Sequence, residues 1–152
     1  AGGILIGRAI TERPDLFKAA IIDVGTINAV RAEIAPNGPN NIKEFGTVEN
    51  EEEFKALLEM DAFHHIKKGT KYPATLITAG MNDPRVIAWI PAKFAAKLQA
   101  NNSGGNPIFL NVDMESGHGG NVSGDKLNDK LADSYAFFYW QLGHPDYKLK
   151  KE

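Results

Sequence analysis

Residues 72–86 read YPATLITAGMNDPRV, an apolar run that ends in a glycine and is followed by a polar loop. The apolar part at 72–80 is short and bounded by turn-forming residues, which predicts a buried strand. AAIIDV at 19–24 and IFLNV at 108–112 are runs of the same kind and predict two more strands. Apolar runs without strict alternation are typical of parallel sheets that are covered on both faces.

Helical patterns alternate with these runs along the chain. Residues 2–12 predict a short buried helix that stops before Pro14, since proline disfavours helix in the residue before it. Further helices are predicted at 49–60, 84–100 and 125–142, loops at 36–41 and 101–107, and a solvated Lys-rich tail at 148–151. Alternating strands and helices predict one α/β domain with a mostly parallel sheet flanked by helices.

Composition excludes several classes of partner and chemistry. The 152 residues are 43% hydrophobic, which is enough for one domain with a core, and the formal net charge is only −2. We expect no nucleic-acid partner, because the chain has no basic field. No apolar run approaches the roughly 20 residues that span a bilayer, so we expect no membrane partner. The sequence has no Cys, which excludes disulfides and thiolate catalysis but leaves the compartment, cytoplasmic or periplasmic, undecided.

Two loops with reactive side chains follow the second and third predicted strands. In open parallel sheets, catalytic and binding sites gather at the carboxyl ends of the strands. The loop after 72–80 carries Asp83, and the loop after 108–112 carries His118. Taken singly, Asp83 before Pro84 fits a helix N-cap, and His118 fits an exposed loop residue. The glycines at 117, 119 and 120 are expected to let the His118 loop closely approach the turn that would carry a nucleophile.

Taken together, the two residues indicate a catalytic pair. A carboxylate after one strand and an imidazole after the next match the order in which α/β-hydrolases supply Asp and His after their nucleophilic Ser. In those proteins the Ser lies in a G-x-S-x-G turn between a strand and a helix. We expect this Ser immediately before Ala1, with Ala1 and Gly2 as the two residues that follow it in the motif. The given sequence would then be a piece of a larger enzyme.

The expected roles follow from the chemistry of acyl transfer. His118 is the base that takes the proton of the Ser, and Asp83 is the carboxylate that orients the imidazole and stabilises its cation. The backbone N–H of Ala1 is an expected donor to the developing oxyanion. Arg85 is either a surface charge or a fixed donor to the substrate.

The sequence resembles the catalytic domain of the prolyl oligopeptidase family of serine peptidases over nearly its whole length. AGGILIGRAITERPDLFKAAIIDVG at 1–25 resembles the segment that follows the nucleophilic Ser in that family. The family's other motifs occur in the expected order and spacing, as EFG at 44–46, MDAFHHI at 60–66, NDPRV at 82–86 and SGHGG at 116–120. Several independent motifs in register make the resemblance specific.

The resemblance implies an α/β-hydrolase fold, in which residues 1–152 form the C-terminal portion of a peptidase catalytic domain. The upstream hydrolase strands and a β-propeller that admits only short peptides would belong to the rest of the parent enzyme. By the resemblance, Asp83 and His118 belong to the catalytic triad, Arg85 binds the substrate backbone near the scissile bond, and Val86 lines the pocket. A second oxyanion donor would come from an upstream Tyr, so the isolated chain is expected to be inactive.

Two positions depart from the pattern of a proline-specific pocket. By ungapped counting from Asp23, Asn41 stands where prolyl oligopeptidases carry a Trp that stacks on the substrate proline, and Thr26 replaces a small apolar residue. Trp89 could supply a ring instead, although a core position suits its large apolar area better. The sequence therefore favours an oligopeptidase and leaves open whether it cleaves after proline.

Other residue clusters favour structural roles. His64 and His65 are adjacent and would point apart in a helix or a strand, so no metal site is predicted. The glycines at 2, 3 and 7 lack the spacing of a phosphate-binding loop, and no cofactor is predicted. FFYW at 137–140 is expected to pack in the core. A non-catalytic binding module of hydrolase ancestry, or an esterase of the same fold, remains the alternative function.

Overall fold

A three-stranded parallel sheet forms the centre of the computed structural model, which describes residues 1–119 and 124–148. The strands are β1 (Ala19–Asp23), β2 (Ala74–Gly80) and β3 (Ile108–Asp113), with β2 between the other two. Asp23 lies opposite Thr78, and Gly80 lies opposite Asp113. The three predicted strands and the parallel sheet of an α/β fold are confirmed.

Five α-helices accompany the sheet within the described residues. They are α1 (Gly2–Glu12), α2 (Gly38–Phe45), α3 (Glu51–Met60), α4 (Trp89–Asn101) and α5 (Gly124–Leu142). None of them combines the length and the apolar character needed to cross a bilayer. The part of the predicted tail at 149–151 lies outside the described residues.

Side chains of each strand alternate between two cores, because successive residues of a strand point to opposite faces of the sheet. Ile22 and Ile77 pack with Ile10 of α1 and Phe94 of α4 in the main buried cluster. On the other face, Leu76 packs with Phe137 and Trp140 of α5. The sheet is therefore covered on both sides, which is the arrangement that its continuous apolar runs predict.

Helix α5 covers its face of the sheet only in part. Phe137 is buried and Trp140 is half-buried, as expected for core packing, whereas Tyr139 of the same aromatic run is exposed. The apolar face nearer the start of the helix lines a cavity of about 360 Å³ between α5 and the sheet, through Leu127, Leu131 and Tyr135.

Three predictions about loops and helices need correction. The loop predicted at 36–41 is wrong, because α2 begins at Gly38 inside it. Pro39 stands in the first turn, where a backbone N–H has no helical partner, so turn-forming residues here start a helix. The helix predicted from residue 84 begins only at Trp89. Helix α1 is buried on one face only, since Leu5 is 70% exposed.

Candidate active site

The carboxyl ends of the strands bring the predicted site residues to one edge of the sheet. Helix α1 starts against the segment that follows β1, where a Cβ on Gly3 would lie only 2.3 Å from the Cα of Gly25. Asp83 follows β2 and His118 follows β3, each after a short loop. Because the strands are parallel, the start of α1, Asp83 and His118 lie at the same edge.

The imidazole of His118 is hydrogen-bonded to the carboxylate of Asp83, with 2.8 Å between Nδ1 and Oδ2. The Asp83 side chain is fully buried, whereas that of His118 is 32% exposed. An ionised carboxylate can only accept a hydrogen bond, so Nδ1 carries the proton and Nε2 keeps its lone pair. The structure therefore joins the two residues that the sequence analysis paired and leaves one ring nitrogen able to act as a base.

The second oxygen of Asp83 fixes the orientation of the carboxylate. Oδ1 accepts hydrogen bonds from the backbone N–H of Arg85 at 2.8 Å and of Val86 at 2.9 Å. This is the bonding pattern of an N-cap, and it holds residues 84–86 in a turn ahead of α4. Both interpretations of Asp83 thus describe part of its geometry, since one oxygen caps the turn and the other binds the imidazole.

The His118 loop is held against the end of β2 by contacts that sequence analysis did not identify. The backbone N–H of Asn82 donates to the carbonyl of Ser116 at 3.1 Å. The Asn82 side-chain Nδ2 donates to the carbonyls of Met114 and Glu115, at 3.3 and 3.2 Å. Because Asn82 directly precedes Asp83, these bonds fix the distance between the two loops that carry Asp83 and His118.

The close approach of the two loops depends on Gly80 and not on the glycines beside His118. A Cβ on Gly80 would lie 2.4 Å from the carbonyl oxygen of Gly117, too close for any side chain. A Cβ on Gly117 would come no nearer than 3.4 Å to another atom, and one on Gly119 would meet nothing within 4 Å. The predicted role of the glycines beside His118, a close approach to the turn that carries the nucleophile, stays a prediction, and Gly120 lies outside the described residues.

Comparison with known proteins identifies the family of this chain. The sequence profile of the prolyl oligopeptidase family matches residues 1–145. The chain belongs to the prolyl oligopeptidase family. It is 34% identical over 143 residues to the prolyl endopeptidase of Elizabethkingia meningoseptica, an alignment that covers 93% of this chain and 20% of that protein. The chain thus spans about a fifth of the length of the curated relatives it matches.

Solved structures of prolyl oligopeptidase family members have the same fold. A prolyl endopeptidase superposes with a TM-score of 0.89 at 33% identity, covering 93% of this chain and 21% of that one. Prolyl oligopeptidase B of Galerina marginata, bound to a 35-residue hydrolysis and macrocyclization substrate, superposes with a TM-score of 0.85 at 30% identity, covering 93% of this chain and 20% of that one. These matches confirm the fold that the resemblance implied.

Arg85 and Val86, the family's expected substrate-binding residues, lie in different surroundings. The Arg85 side chain is exposed and forms no ion pair with any residue within 1–119 or 124–148. Its guanidinium is therefore accessible from solvent. Val86 is only 7% exposed and belongs to the main core cluster. Their roles toward substrate stay predictions.

The two positions that depart from the prolyl oligopeptidase pattern meet at one small cavity. Thr26 and Asn41 line it together with Phe45, and its volume of about 10 Å³ admits no more than a water molecule. The amide of Asn41 is engaged structurally, since its Nδ2 donates to the carbonyl of Ala32 at 3.2 Å. Trp89 is absent from the residues that line this cavity and packs instead against the main core cluster. The aromatic ring available here is therefore that of Phe45.

The backbone is strained directly after β1, beside the start of α1. Val24 has a φ of 41°, the only positive φ outside glycine in the described part of the chain. A β-branched residue rarely adopts this conformation, which costs about 1–3 kcal/mol and concentrates at functional sites. The Val24 N–H donates to the hydroxyl of Thr78 at 3.2 Å, which helps to hold the strained turn. The residue that follows Val24 is Gly25, against which the start of α1 packs.

His64 and His65 lie in neither a helix nor a strand, because residues 62–65 form a turn. Both rings turn toward Asp61, which is fully buried. The His64 Nδ1 lies 3.1 Å from a carboxylate oxygen of Asp61, and the His65 Nδ1 lies 2.7 Å from its backbone carbonyl. The second carboxylate oxygen accepts a hydrogen bond from the N–H of Val30 at 2.9 Å. These contacts tie the turn to the segment after β1 and give the pair a structural role.

Replacing Gly80 with Ala tests the close approach of the two loops. The added Cβ would clash with the backbone at Gly117, and overpacking of this kind costs about 1–3 kcal/mol of unfolding free energy. Because the His118 loop must move to relieve the clash, we also expect any turnover that depends on His118 to fall by about 100-fold. Thermal unfolding and steady-state kinetics of the parent protein measure the two effects. Gly105→Ala is the matched control, since a Cβ there meets nothing within 4 Å, and equal behaviour of the two variants would contradict the assignment.

Proposed function

We propose that this chain supplies the acid–base pair of a serine oligopeptidase, in which a Ser immediately before Ala1 in the parent polypeptide is the nucleophile. The observation that carries the proposal is the 2.8 Å contact between Asp83 and His118 at the edge where α1 begins. Membership of the prolyl oligopeptidase family supports it, because that family model matches from residue 1. The chain would be the C-terminal portion of the catalytic domain, with upstream hydrolase strands and a β-propeller in the rest of the protein.

The proposed mechanism divides the proton transfers between two side chains. Nε2 of His118 removes the proton from the Ser hydroxyl as the oxygen attacks the scissile carbonyl, and the ring then passes this proton to the leaving amine. Asp83 keeps Nδ1 protonated and stabilises the imidazolium that forms between these steps. Water then attacks the acyl-enzyme, with His118 again acting as the base. The carboxylate is held in place throughout by its two backbone donors.

The start of α1 is suited to stabilise the oxyanion. The first N–H groups of a helix have no partner within it, and the helix dipole adds partial positive charge there. The first turn of α1 contains no acidic residue that would offset this charge. In the parent polypeptide the N–H of Ala1, directly after the Ser, would be one donor, and an upstream Tyr would supply the second.

Short peptides are the proposed substrates. Galerina marginata prolyl oligopeptidase B has been solved with peptide substrates in variants in which a Ser, an Asp or a His was replaced by Ala. Here Arg85 would bind the substrate backbone and Val86 would border the pocket. Asn41 stands in place of a Trp and the cavity beside it is too small for a proline ring, so a weak preference for cleavage after proline is expected.

Labelling of the parent protein with a fluorophosphonate tests the proposed nucleophile. The probe phosphonylates a Ser only where a base activates it, so we expect one labelled Ser in the tryptic peptide that continues into Ala1–Arg8. Heat-denatured protein is the control and should not label. Labelling at another residue would contradict the proposed position of the nucleophile, and no labelling of folded protein would favour a non-catalytic module. Profiling of the unlabelled protein with peptide amides and simple esters separates a peptidase from an esterase.

A further inference from the structure

The segment between β3 and His118 is folded around the carboxylate of Asp113. Its Oδ1 accepts hydrogen bonds from the backbone N–H of Glu115 and of Ser116, both at 3.0 Å. Ser116 is 4% exposed, and its carbonyl accepts the N–H of Asn82, the residue before Asp83. The position of His118, two residues further on, is thus set by the turn that Asp113 organises.

Two lysines one turn apart on α5 bind this segment. The Lys130 Nζ lies 2.8 Å from Oδ2 of Asp113 and donates to the hydroxyl of Ser116 at 3.1 Å. Lys126 forms an ion pair with Glu115. The two pairs differ in burial, because the Asp113 side chain is 21% exposed and that of Glu115 is 77% exposed. Lys130 is therefore the lysine that contacts the buried part of the loop.

The charge of Lys130 acts directly on the turn. Its ammonium is the main reason why the pKa of Asp113 lies well below its usual range, and the backbone N–H of Glu115 adds to the effect. A carboxylate that stays charged is the stronger acceptor for the N–H groups that it holds. Partly exposed ion pairs contribute little to stability, about 0.2–1 kcal/mol. The larger effect of this pair is expected on the position of the loop.

We propose that Lys130 is a positioning residue for catalysis, which acts through Asp113 and Ser116 to keep the His118 ring against Asp83. The inference rests on the proposed function, since it assigns a task only if His118 is the base. A displacement on the order of 1 Å between reacting groups can lower a rate about 100-fold. Loss of the ammonium would also leave the hydroxyl of the buried Ser116 without its contact on α5.

The test compares Lys130→Met with Lys130→Arg and Lys126→Met in the parent protein. For Lys130→Met we expect kcat to fall about 10- to 100-fold with little change in KM or in the unfolding temperature, because the substrate pocket and the core are untouched. Lys130→Arg should recover most of the loss, since its guanidinium can reach the same oxygens. Lys126→Met should change kcat less than about twofold, because its partner carboxylate is exposed. Asp113→Asn, which keeps the oxygen that accepts the two N–H groups, should reproduce the loss and show non-additivity with Lys130→Met.

The fluorophosphonate labelling rate distinguishes the two ways of failing. If the proposed function were wrong, the wild-type protein itself would not label. If only the positioning role were wrong, the wild type would label and Lys130→Met would label and turn over equally fast. A loss of kcat accompanied by a proportional fall in the unfolding temperature, without rescue by Arg, would also overturn the proposal, because it would indicate a merely structural ion pair.

Discussion

Replacement of His118 by Ala in the parent protein is expected to lower kcat by about 10⁴- to 10⁶-fold with little change in KM. The imidazole is the only base hydrogen-bonded to Asp83 within the described residues, and without it nothing there can take the proton of the Ser. The fold should survive, since the ring is one third exposed and lies in a loop. Steady-state kinetics measures kcat and KM, the fluorophosphonate labelling rate reports the activation of the Ser, and thermal unfolding shows whether the fold survives.

The chain offers a matched control for this substitution. His64 is also partly exposed and also lies next to a buried carboxylate, with 3.1 Å between its Nδ1 and Asp61. His64→Ala should leave kcat within about twofold, because the pair lies in the turn at 62–65 and not at the carboxyl ends of β2 and β3. Retained activity in His118→Ala, or equal losses in both variants, would remove His118 from the mechanism.

Replacement of Asp83 by Asn is expected to lower kcat by about 10⁴-fold while preserving the local geometry. The Asn oxygen can still accept the N–H groups of Arg85 and Val86, so the turn should persist. The amide NH₂, however, would face Nδ1 of His118 and can only donate. The ring would then carry its proton on Nε2, the nitrogen that has to accept the proton of the Ser. The expected result is a folded protein with the wrong tautomer.

Two comparisons make the Asp83 prediction specific. Asp83→Ala should lose similar activity but should also lower the unfolding temperature, because it leaves the buried N–H of Val86 and the partly buried N–H of Arg85 without an acceptor, at about 1–3 kcal/mol. Asp15→Asn, at an exposed ion pair with Arg13, should change neither quantity measurably. If Asp83→Asn kept wild-type kcat, the carboxylate would be no more than the cap of the turn at 84–86.

Much of the fold could be predicted because its signals are local. Continuous apolar runs identified β1, β2 and β3, since strands of a parallel sheet that is covered on both faces are rich in apolar residues on both faces. The wrong predictions concern residue types that occur both in turns and at the starts of helices. Gly38 and Pro39 are typical of turns, yet they start α2, and Pro84 suits a helix start, yet Asp83 holds the next residues in a turn. The Asp83 hydrogen bonds to the N–H groups of Arg85 and Val86 span only two and three residues, so residue type alone does not determine which of the two structures forms.

The residues of the candidate site likewise include some that the sequence predicted and some that it did not. Asp83 and His118 were found because strand ends of a parallel sheet collect functional side chains, and the order of the two residues matches that of hydrolases. Gly80, Asn82 and Lys130 were missed, because each acts on a residue more than thirty positions away or on another element. No sequence pattern indicates that Gly80 must lack a side chain because the carbonyl oxygen of Gly117, in a different loop, lies against it.

The sequence by itself determined the three strands, the α/β class and the pair of residues at the strand ends, because apolar pattern and residue order are properties of the chain alone. Only the tertiary structure decided that Asp83 and His118 touch, that Gly80 permits the contact and that Lys130 of α5 binds the turn before His118. The physical reason is that hydrogen bonds and close contacts act over about 3 Å, and only the packing of β2, β3 and α5 brings these distant segments within that range.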